Sequence, residues 1–381
     1  MNGHFTPENV AQLADVYDQQ RSAAVDHLGK VNVLIAGSAG VGKSTLINSI
    51  FGKEVAKTGV GRAVTQSIDR FEPPNSTLRI YDTRGFEIKN SEATVGAVQN
   101  EVRRLRASTD PYDQIHVAWL CILEHSRRVE DVHTSFLRML SSESVPALVV
   151  ITQSFEDEEM LAAVQRLAVP NRGVHQVLSE SKTIKGHGIS AFGVKELVDA
   201  TLALLPDAQK AAFIAAQKAR WELKEKAAVA AITYASFGAG ASAFNPIPGG
   251  HSVVLAGIQM GLMARINAAI GISPEQTAGK DFVKGFLGMT AAHFGGQAAF
   301  GLVVSEALKF LPGLGTIGAG IIGGSIAAPI TFAFGHAYLD SVKAYARDDL
   351  PLPPADQLAS LMAQALRQNK DRYDQLAKQS Q

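Results

Sequence analysis

A glycine-rich stretch from Gly37 to Thr45 has the residue types and spacing needed to hold a phosphate group. It fits the pattern G-x-x-x-x-G-K-[ST]. Glycine permits backbone angles that turn successive N–H groups toward an anion. Lys43 would add a point charge for the β- and γ-phosphates, and Ser44 a hydroxyl ligand for Mg²⁺. The predicted phosphate contacts are Gly37, Ser38, Ala39, Gly40, Val41, Gly42, Lys43, Ser44 and Thr45.

The segments on either side of this stretch match a strand and a helix. An apolar run, Val31 to Ala36, precedes it, and a run with helical character, Thr45 to Phe51, follows it. The N-terminus of that helix would direct its positive dipole end at the bound anion. A chance glycine turn is the alternative, but strand, loop and helix in this order favour nucleotide binding.

Composition narrows the functional class. The 381 residues suggest two or three domains, and 36 basic residues balance 36 acidic ones, so net charge gives no indication of nucleic-acid binding. Cys121 is the single cysteine, which excludes an internal disulfide and fits a reducing compartment. Residues 1–20 lack the apolar core of a signal peptide. We therefore expect a cytoplasmic protein.

Between residues 30 and 205, predicted strands alternate with predicted helices. This alternation predicts an α/β fold with a mainly parallel sheet and helices on both faces, and it places the glycine-rich loop at the carboxyl end of the first strand. The predicted strands are Val31–Ala36, Ser67–Phe71, Leu78–Tyr81, His116–Leu123, Ala147–Ile151 and His175–Leu178. The predicted helices are Ser44–Phe51, Glu92–Ala107, Val129–Leu140, Glu156–Leu167 and Val194–Leu204.

Two further segments supply candidate metal and phosphate contacts. Asp82 follows a predicted strand and could hold Mg²⁺, while the Gly85 N–H could meet a γ-phosphate. Thr65, in a predicted loop, could complete the Mg²⁺ shell, although an ordinary loop threonine is the alternative. The predicted catalytic residues are Lys43, Thr65 and Gly85, and the predicted metal ligands are Ser44, Thr65 and Asp82.

With these motifs the sequence resembles the translation-factor-like P-loop GTPases, especially their Era-like and dynamin-like branch. The resemblance covers about residues 30–205 and rests on the glycine-rich loop, Val64-Thr65-Gln66, the motif from Asp82 to Gly85, and Ile189-Ser190-Ala191. It implies GTP or GDP as the bound nucleotide, Mg²⁺ as cofactor and GTP hydrolysis as the activity. In that family, the segment matching Ser190 and Ala191 supports the guanine ring.

One departure from the family concerns base recognition. The family reads guanine with [NT]-K-x-D, whereas this chain has Thr152-Gln153-Ser154-Phe155. Thr152 and Gln153 remain predicted nucleotide contacts, but Phe155 replaces the carboxylate that accepts from guanine. Asp157 could serve instead in a shifted loop, and ATP stays open as an alternative nucleotide.

The other departure concerns hydrolysis. Phe86 follows Gly85, at the position where Ras-like enzymes place a glutamine that orients water. A phenyl ring neither donates nor accepts a conventional hydrogen bond, so we expect slow hydrolysis that an activating protein or self-association would raise. A nucleotide-binding scaffold without hydrolysis is the alternative.

The second half of the chain is unusually poor in charge. The ranges 227–264, 285–305 and 310–339 contain no Lys, Arg, Asp or Glu. Runs of about 20 residues can span a bilayer, but the high Ala and Gly content of these runs also fits a tightly packed helical bundle. This half resembles a hydrophobic C-terminal domain fused to GTPases in many bacteria, which implies an all-α module. Peripheral or integral association with the cytoplasmic membrane is therefore an expectation.

The predicted organisation has five parts. Residues 1–29 form an N-terminal helix, 30–205 the nucleotide-binding domain, 206–226 a helical linker, 227–348 an apolar helical domain, and 349–381 a C-terminal amphipathic helix. In the predicted mechanism, the nucleotide state switches the helical module, which engages a membrane or a protein partner.

Overall fold

The computed structural model separates the chain into two compact units. One comprises Leu28–Trp221, and the other combines Met1–His27 with Glu222–Gln381. The structure describes residues 7–52, 62–65, 68–73, 76–83, 91–110, 112–167, 169–184, 186–242, 251–272, 324–369, 371–372 and 375.

The unit Leu28–Trp221 is built on a seven-stranded sheet with the order β2-β3-β4-β1-β5-β6-β7. Neighbouring strands from β4 through β1, β5 and β6 to β7 are parallel, whereas β2, β3 and β4 pair antiparallel. A hairpin of β8 and β9 lies apart from this sheet. The strands are β1 Val31–Ala36, β2 Arg62–Thr65, β3 Ile68–Phe71, β4 Leu78–Thr83, β5 Val117–Leu123, β6 Ala147–Thr152, β7 Val174–Val177, β8 Lys182–Ile184 and β9 His187–Ile189.

Helices cover both faces of the sheet. In chain order after α1 (Pro7–Leu28), the helices of this unit are α2 Lys43–Phe51, α3 Ser91–Arg106, α4 Asp131–Ser142, α5 Glu158–Gln165, α6 Val194–Leu204 and α7 Asp207–Ala216. Successive residues of a strand point to opposite faces of the sheet, so Trp119 and Leu120 of β5 pack against helices on different faces. Leu120 belongs to a core that includes residues of α3 and α4, whereas the Trp119 ring stacks on Phe51 of α2 and its Nε1 donates to Thr201 of α6.

This architecture confirms the predicted α/β fold with a mainly parallel sheet. Two features differ from the prediction. Arg62–Thr65, predicted as loop, forms edge strand β2, which is bulged where it pairs with β3. Lys182–Ile184 and His187–Ile189 form a hairpin that short, partly charged segments did not indicate.

The second unit is helical in the part that the structure describes. Its helices are α1 Pro7–Leu28, α8 Trp221–Ser242, α9 His251–Ile270, α10 Gly324–Arg347 and α11 Ala355–Gln368, the terminal residues Leu28 and Trp221 falling at the unit boundary. A Cβ at Gly335 of α10 would lie 2.8 Å from the Ile232 side chain and 2.9 Å from that of Leu262. Glycine therefore allows α10 to pack closely against α8 and α9.

Three buried polar side chains of the helical unit, on three different helices, are hydrogen-bonded to one another. The Asn267 amide donates to the Tyr17 hydroxyl at 3.2 Å, and the Tyr338 hydroxyl donates to the Asn267 carbonyl oxygen at 2.7 Å. Burial raises the pKa of Tyr338 well above its ordinary value. These bonds link α1, α9 and α10 within one interior. Among the described helices, none is both long and apolar enough to cross a membrane.

Candidate functional site

The glycine-rich loop leaves β1 and enters α2 through backbone angles that glycine adopts most readily. Gly37 has φ 147°, and a Cβ there would lie 2.5 Å from the Cys121 carbonyl oxygen. Gly42, directly before α2, has φ 99°. A side chain at Gly37 would clash with backbone, so the close approach of β1 and β5 explains that glycine.

Lys43 is the first residue of α2, and its ammonium contacts the start of the glycine-rich loop. Its Nζ donates to the Gly37 carbonyl at 2.8 Å and to the Ser38 carbonyl at 3.3 Å. The same ammonium lies 3.8 Å from Oδ1 of Asp82. The structure thus brings together two residues predicted from separate motifs, with the lysine charge beside the loop that would hold phosphate.

Asp82 is a suitable Mg²⁺ ligand in position and chemistry. It lies near the end of β4, paired with Ile35 of β1, so it sits beside the strand that leads into the loop. Its Oδ1 is buried and accepts no hydrogen bond from the described residues. Burial is the main cause that raises the pKa of Asp82 to about 6, opposed by Lys43 and reinforced by Asp69. A divalent cation would satisfy such a carboxylate, and Ser44, exposed in the first turn of α2, supplies the hydroxyl.

The other predicted γ-phosphate contacts are only partly described. Thr65 is the last residue of β2 and pairs with Ile68, so its predicted loop position was wrong. The Thr65 side chain, together with Gly85 and Phe86, lies outside the described residues. The roles assigned to these three residues remain predictions.

The segment Thr152 to Asp157, here called the base loop, lies directly against the glycine-rich loop. The Thr152 hydroxyl donates to the Val41 carbonyl at 2.5 Å, and the Gln153 amide donates to the Gly40 carbonyl at 3.3 Å. Gln153 has φ 51°, an uncommon left-handed conformation for a residue with a side chain. The base loop is therefore joined to the glycine-rich loop by two side-chain hydrogen bonds, and its role in reading the base remains a prediction.

A buried carboxylate that sequence reasoning missed organises the base loop. Glu124, directly after β5, accepts a short hydrogen bond from the Ser154 hydroxyl. It also accepts from the backbone N–H of Phe155 at 2.6 Å and of Asp157 at 3.2 Å. These bonds fix the backbone of the base loop. No motif marks Glu124, because its partners lie about 30 residues away in sequence.

Asp157, the alternative candidate for reading the base, makes contacts through both of its carboxylate oxygens. Its Oδ1 accepts from the N–H groups of Glu159 and Met160, which makes it the N-cap of α5. Its Oδ2 accepts from Arg127 at 2.9 Å. Backbone hydrogen bonds at the helix start are the first cause that lowers the pKa of Asp157. Both oxygens are thus engaged in structural contacts.

The segment of Ser190 and Ala191 lies beside the β8–β9 hairpin. Both residues are exposed, and the Ala191 N–H donates to the Ser181 hydroxyl at 3.1 Å. Phe192 then pairs with Leu178 through two backbone hydrogen bonds. The structure therefore places the predicted ring-supporting segment at the same end of the sheet as the base loop, with one backbone donor already engaged.

Comparison with known proteins agrees with this geometry. Residues 32–153 match the family model described as 50S ribosome-binding GTPase. The chain contains a P-loop GTPase domain. That range begins in β1 of this domain and ends in the base loop.

Two relatives match part of this chain. The probable GTP-binding protein EngB of Rhodopseudomonas palustris is 26% identical over 189 residues, which cover 47% of this chain and 83% of the relative. Ribosome biogenesis GTPase A of Priestia megaterium is 31% identical over 102 residues, which cover 25% of this chain and 35% of the relative.

Two solved structures show low similarity. Era in complex with MgGDPNP and nucleotides of 16S ribosomal RNA has 19% identity and a TM-score of 0.32, over 47% of this chain and 58% of that chain. A structure from work on the chloroplast translocon components atToc33 and psToc159 has 17% identity and a TM-score of 0.32, over 53% of this chain and 92% of that chain.

Proposed function

We propose that this chain binds GTP and GDP with Mg²⁺, hydrolyses GTP slowly, and uses the nucleotide state to control its helical unit. The observation that carries the proposal is the position of Lys43. Its ammonium lies within a glycine-rich loop at the start of α2, 3.8 Å from the carboxylate of Asp82 on the adjacent strand. The relatives named as a GTP-binding protein and a GTPase support guanine nucleotide as the ligand.

The chain's own groups would position the phosphates. Backbone N–H groups of the loop and the N-terminus of α2 would bind the phosphate oxygens. Lys43 would exchange its contacts to the Gly37 and Ser38 carbonyls for the β- and γ-phosphates. When bound, Mg²⁺ supplies charge neutralisation on those phosphates, and Ser44, Asp82 and Thr65 are the residues that would hold it.

Slow hydrolysis follows from the residue after Gly85. Phe86 offers no group that could orient an attacking water, so we propose a low intrinsic rate that self-association or an activating protein raises. Single-turnover hydrolysis with γ-labelled GTP, measured at increasing protein concentration, tests this. A rate that rises with concentration supports the proposal, and a fast rate that is independent of concentration contradicts it.

Absence of phosphate release at any concentration would instead favour the second candidate, a scaffold that binds nucleotide without hydrolysing it. Phe86 is the observation that favours it. An ATPase is a third candidate, favoured by Phe155 at the position where the family has a base-reading carboxylate. Parallel assays with GTP and ATP distinguish these candidates.

For the helical unit we propose binding to a membrane surface at the cytoplasmic side. Two aromatic side chains of α8 support this, since Tyr234 is 72% exposed and Phe237 59% exposed. The exposed Arg265 guanidinium lies 5.8 Å from the centre of the Tyr234 ring, a combination suited to an anionic headgroup region.

Flotation with anionic and neutral vesicles, each with a GTP analogue, GDP or no nucleotide, tests membrane binding. Nucleotide-dependent flotation that the double change Tyr234→Ser and Phe237→Ser abolishes supports the proposal. Protein that stays at the bottom of the gradient in every state contradicts it and favours a protein partner.

A further inference from the structure

Lys182 of β8 is a cation placed at the base loop by a different segment of the chain. Its Nζ donates to Oε1 of Gln153 at 3.2 Å and lies 5.8 Å from the centre of the Phe155 ring. Gln153 and Phe155 occupy the two positions at which the family pattern has its lysine and its aspartate. The ammonium therefore lies between the residues that would face a purine base.

Two carboxylates of the base-loop region, those of Glu124 and Asp157, are engaged in structural contacts. Glu124 accepts from three donors of the loop itself. Asp157 caps α5 and pairs with Arg127. Glu156 is exposed and has φ 64°. Its backbone N–H donates a hydrogen bond to the Ser154 hydroxyl. The contacts around Phe155 thus supply a cationic donor where the family supplies an anionic acceptor.

Two other hydrogen-bond donors beside the proposed position of the base already have acceptors within the protein. The Ala191 N–H donates to the Ser181 hydroxyl, and the Gln153 amide donates to the Gly40 carbonyl. Ser181 directly precedes Lys182, so the same contact that occupies Ala191 anchors the start of β8 beside the base loop. Lys182 has three ammonium hydrogens and one described acceptor in Gln153, which leaves donor capacity for a ligand.

We propose that Lys182 selects nucleotides whose purine carries an oxygen at position 6. The inference rests on the proposed nucleotide-binding function and names the base class that this site takes. An ammonium donates to the O6 acceptor of guanine and repels no group there, whereas adenine presents the N6 amine, itself a donor, at the same position.

The same geometry limits how well the site can distinguish between purines that both carry a 6-oxygen. The 2-amine of guanine is a donor and needs an acceptor, which in the family is the aspartate replaced by Phe155. Hypoxanthine has the 6-oxygen but lacks the 2-amine. The site is therefore expected to bind ITP as well as GTP and to bind ATP more weakly.

Titration of the full-length protein with GTP, ITP and ATP in the presence of Mg²⁺ tests this assignment. We expect GTP and ITP affinities within about threefold of each other and ATP weaker by about tenfold or more, in line with loss of a charged hydrogen bond. In Lys182→Met the difference between GTP and ATP should shrink to about threefold or less. Lys182→Arg, which keeps a cationic donor, should retain the preference.

Lys195→Met, at an exposed lysine of α6, is the matched control and should leave the ratio of GTP to ATP affinity unchanged. An unchanged ratio in Lys182→Met overturns the assignment. ITP binding at least about tenfold weaker than GTP contradicts the expected acceptance of ITP, because an acceptor such as Glu156 must then read the 2-amine beside the contact of Lys182 to the 6-oxygen. If none of the three nucleotides binds, the proposed function itself fails, a result distinct from binding without base preference.

Discussion

Glu124 is the residue on which the geometry of the base loop depends. One carboxylate accepts from the Ser154 hydroxyl and from the N–H groups of Phe155 and Asp157. Backbone donors buried without an acceptor are costly, so this arrangement holds the loop only while both carboxylate oxygens accept. We therefore expect Glu124 to position the base loop rather than to contact a ligand.

Glu124→Gln is therefore expected to destabilise the GTPase domain. The amide group replaces one acceptor by a donor that faces other donors, a change worth about 1–3 kcal/mol of unfolding free energy. Urea unfolding followed by tryptophan fluorescence measures it. Trp119 is buried in the core of the unit Leu28–Trp221, whereas Trp221 lies at the unit boundary, so the fluorescence change of Trp119 reports that unit. Glu92→Gln, at an exposed position of α3, is the control, and equal stability of the two variants would contradict the role given to Glu124.

At the scale of elements, hydrogen bonds between Asn32 and His116 join the start of β1, the strand that leads into the glycine-rich loop, to the residue that precedes β5. The backbone N–H of Asn32 donates to Nδ1 of the His116 imidazole at 2.9 Å, and the backbone N–H of His116 donates to the backbone carbonyl of Asn32 at 3.0 Å. Burial lowers the pKa of His116 to about 4. The neutral imidazole is thus part of the contact between β1 and the start of β5.

This contact predicts a pH-dependent stability. The unfolded chain binds the His116 proton below about pH 6.5, whereas the folded chain does so only below about pH 4. The free energy of unfolding should therefore fall as the pH is lowered from 6.5 to 4. His116→Gln, which does not titrate, should reduce that fall by about 2–3 kcal/mol in urea unfolding at a series of pH values. Identical pH profiles for the two proteins would refute the role of His116.

Helix α5 supplies a test of the assignment of Asp157. Removing an N-cap costs about 0.5–2 kcal/mol, whereas the exposed pair with Arg127 contributes little. Asp157→Ala should therefore lower the stability of the GTPase domain and leave the ratio of GTP to ATP affinity unchanged. Arg127→Ala is the control for the ion pair alone. A ratio that collapses in Asp157→Ala, with stability intact, would show that Asp157 reads the base.

The elements that sequence reasoning found are those with strong local patterns. Buried apolar runs such as Val31–Ala36 and Ala147–Thr152 identify the parallel strands, and the spacing of glycines with Lys43 identifies the phosphate loop. Strand β2 was missed because an edge strand in a glycine-containing segment lacks such a run. Glu124 and Lys182 were missed for another reason, since tertiary packing brings each to the base loop from a distant segment.

At the scale of the whole molecule, the chain contains two units with separate interiors. The GTPase unit has its core between the sheet and its helices, and the helical unit has its own buried network around Asn267. The first and last parts of the chain, Met1–His27 and Glu222–Gln381, belong to the same unit. The GTPase domain is therefore inserted, in sequence, between the first helix of the helical unit and the rest of it.

A chain consisting of residues 28–221 is accordingly expected to fold and to bind nucleotide. Each compact unit with its own core has the contacts needed for independent folding. We expect a cooperative urea transition by tryptophan fluorescence and a GTP affinity within about threefold of the full chain. Aggregation of this fragment, or a loss of affinity beyond about tenfold, would show that the helical unit is needed to complete the domain.

The central claim is that the glycine-rich loop and Lys43 bind guanine nucleotide, and calorimetric titration of the full-length protein with GTP and Mg²⁺ tests it most directly. The account predicts one-to-one binding that Lys43→Ala weakens about ten- to a hundredfold, because an ammonium contact to phosphate is worth about 1.5–3 kcal/mol. Lys195→Ala, at the exposed lysine of α6, should bind like the wild type. Equal GTP affinity of Lys43→Ala and wild type, or no binding by the wild type, would contradict the account.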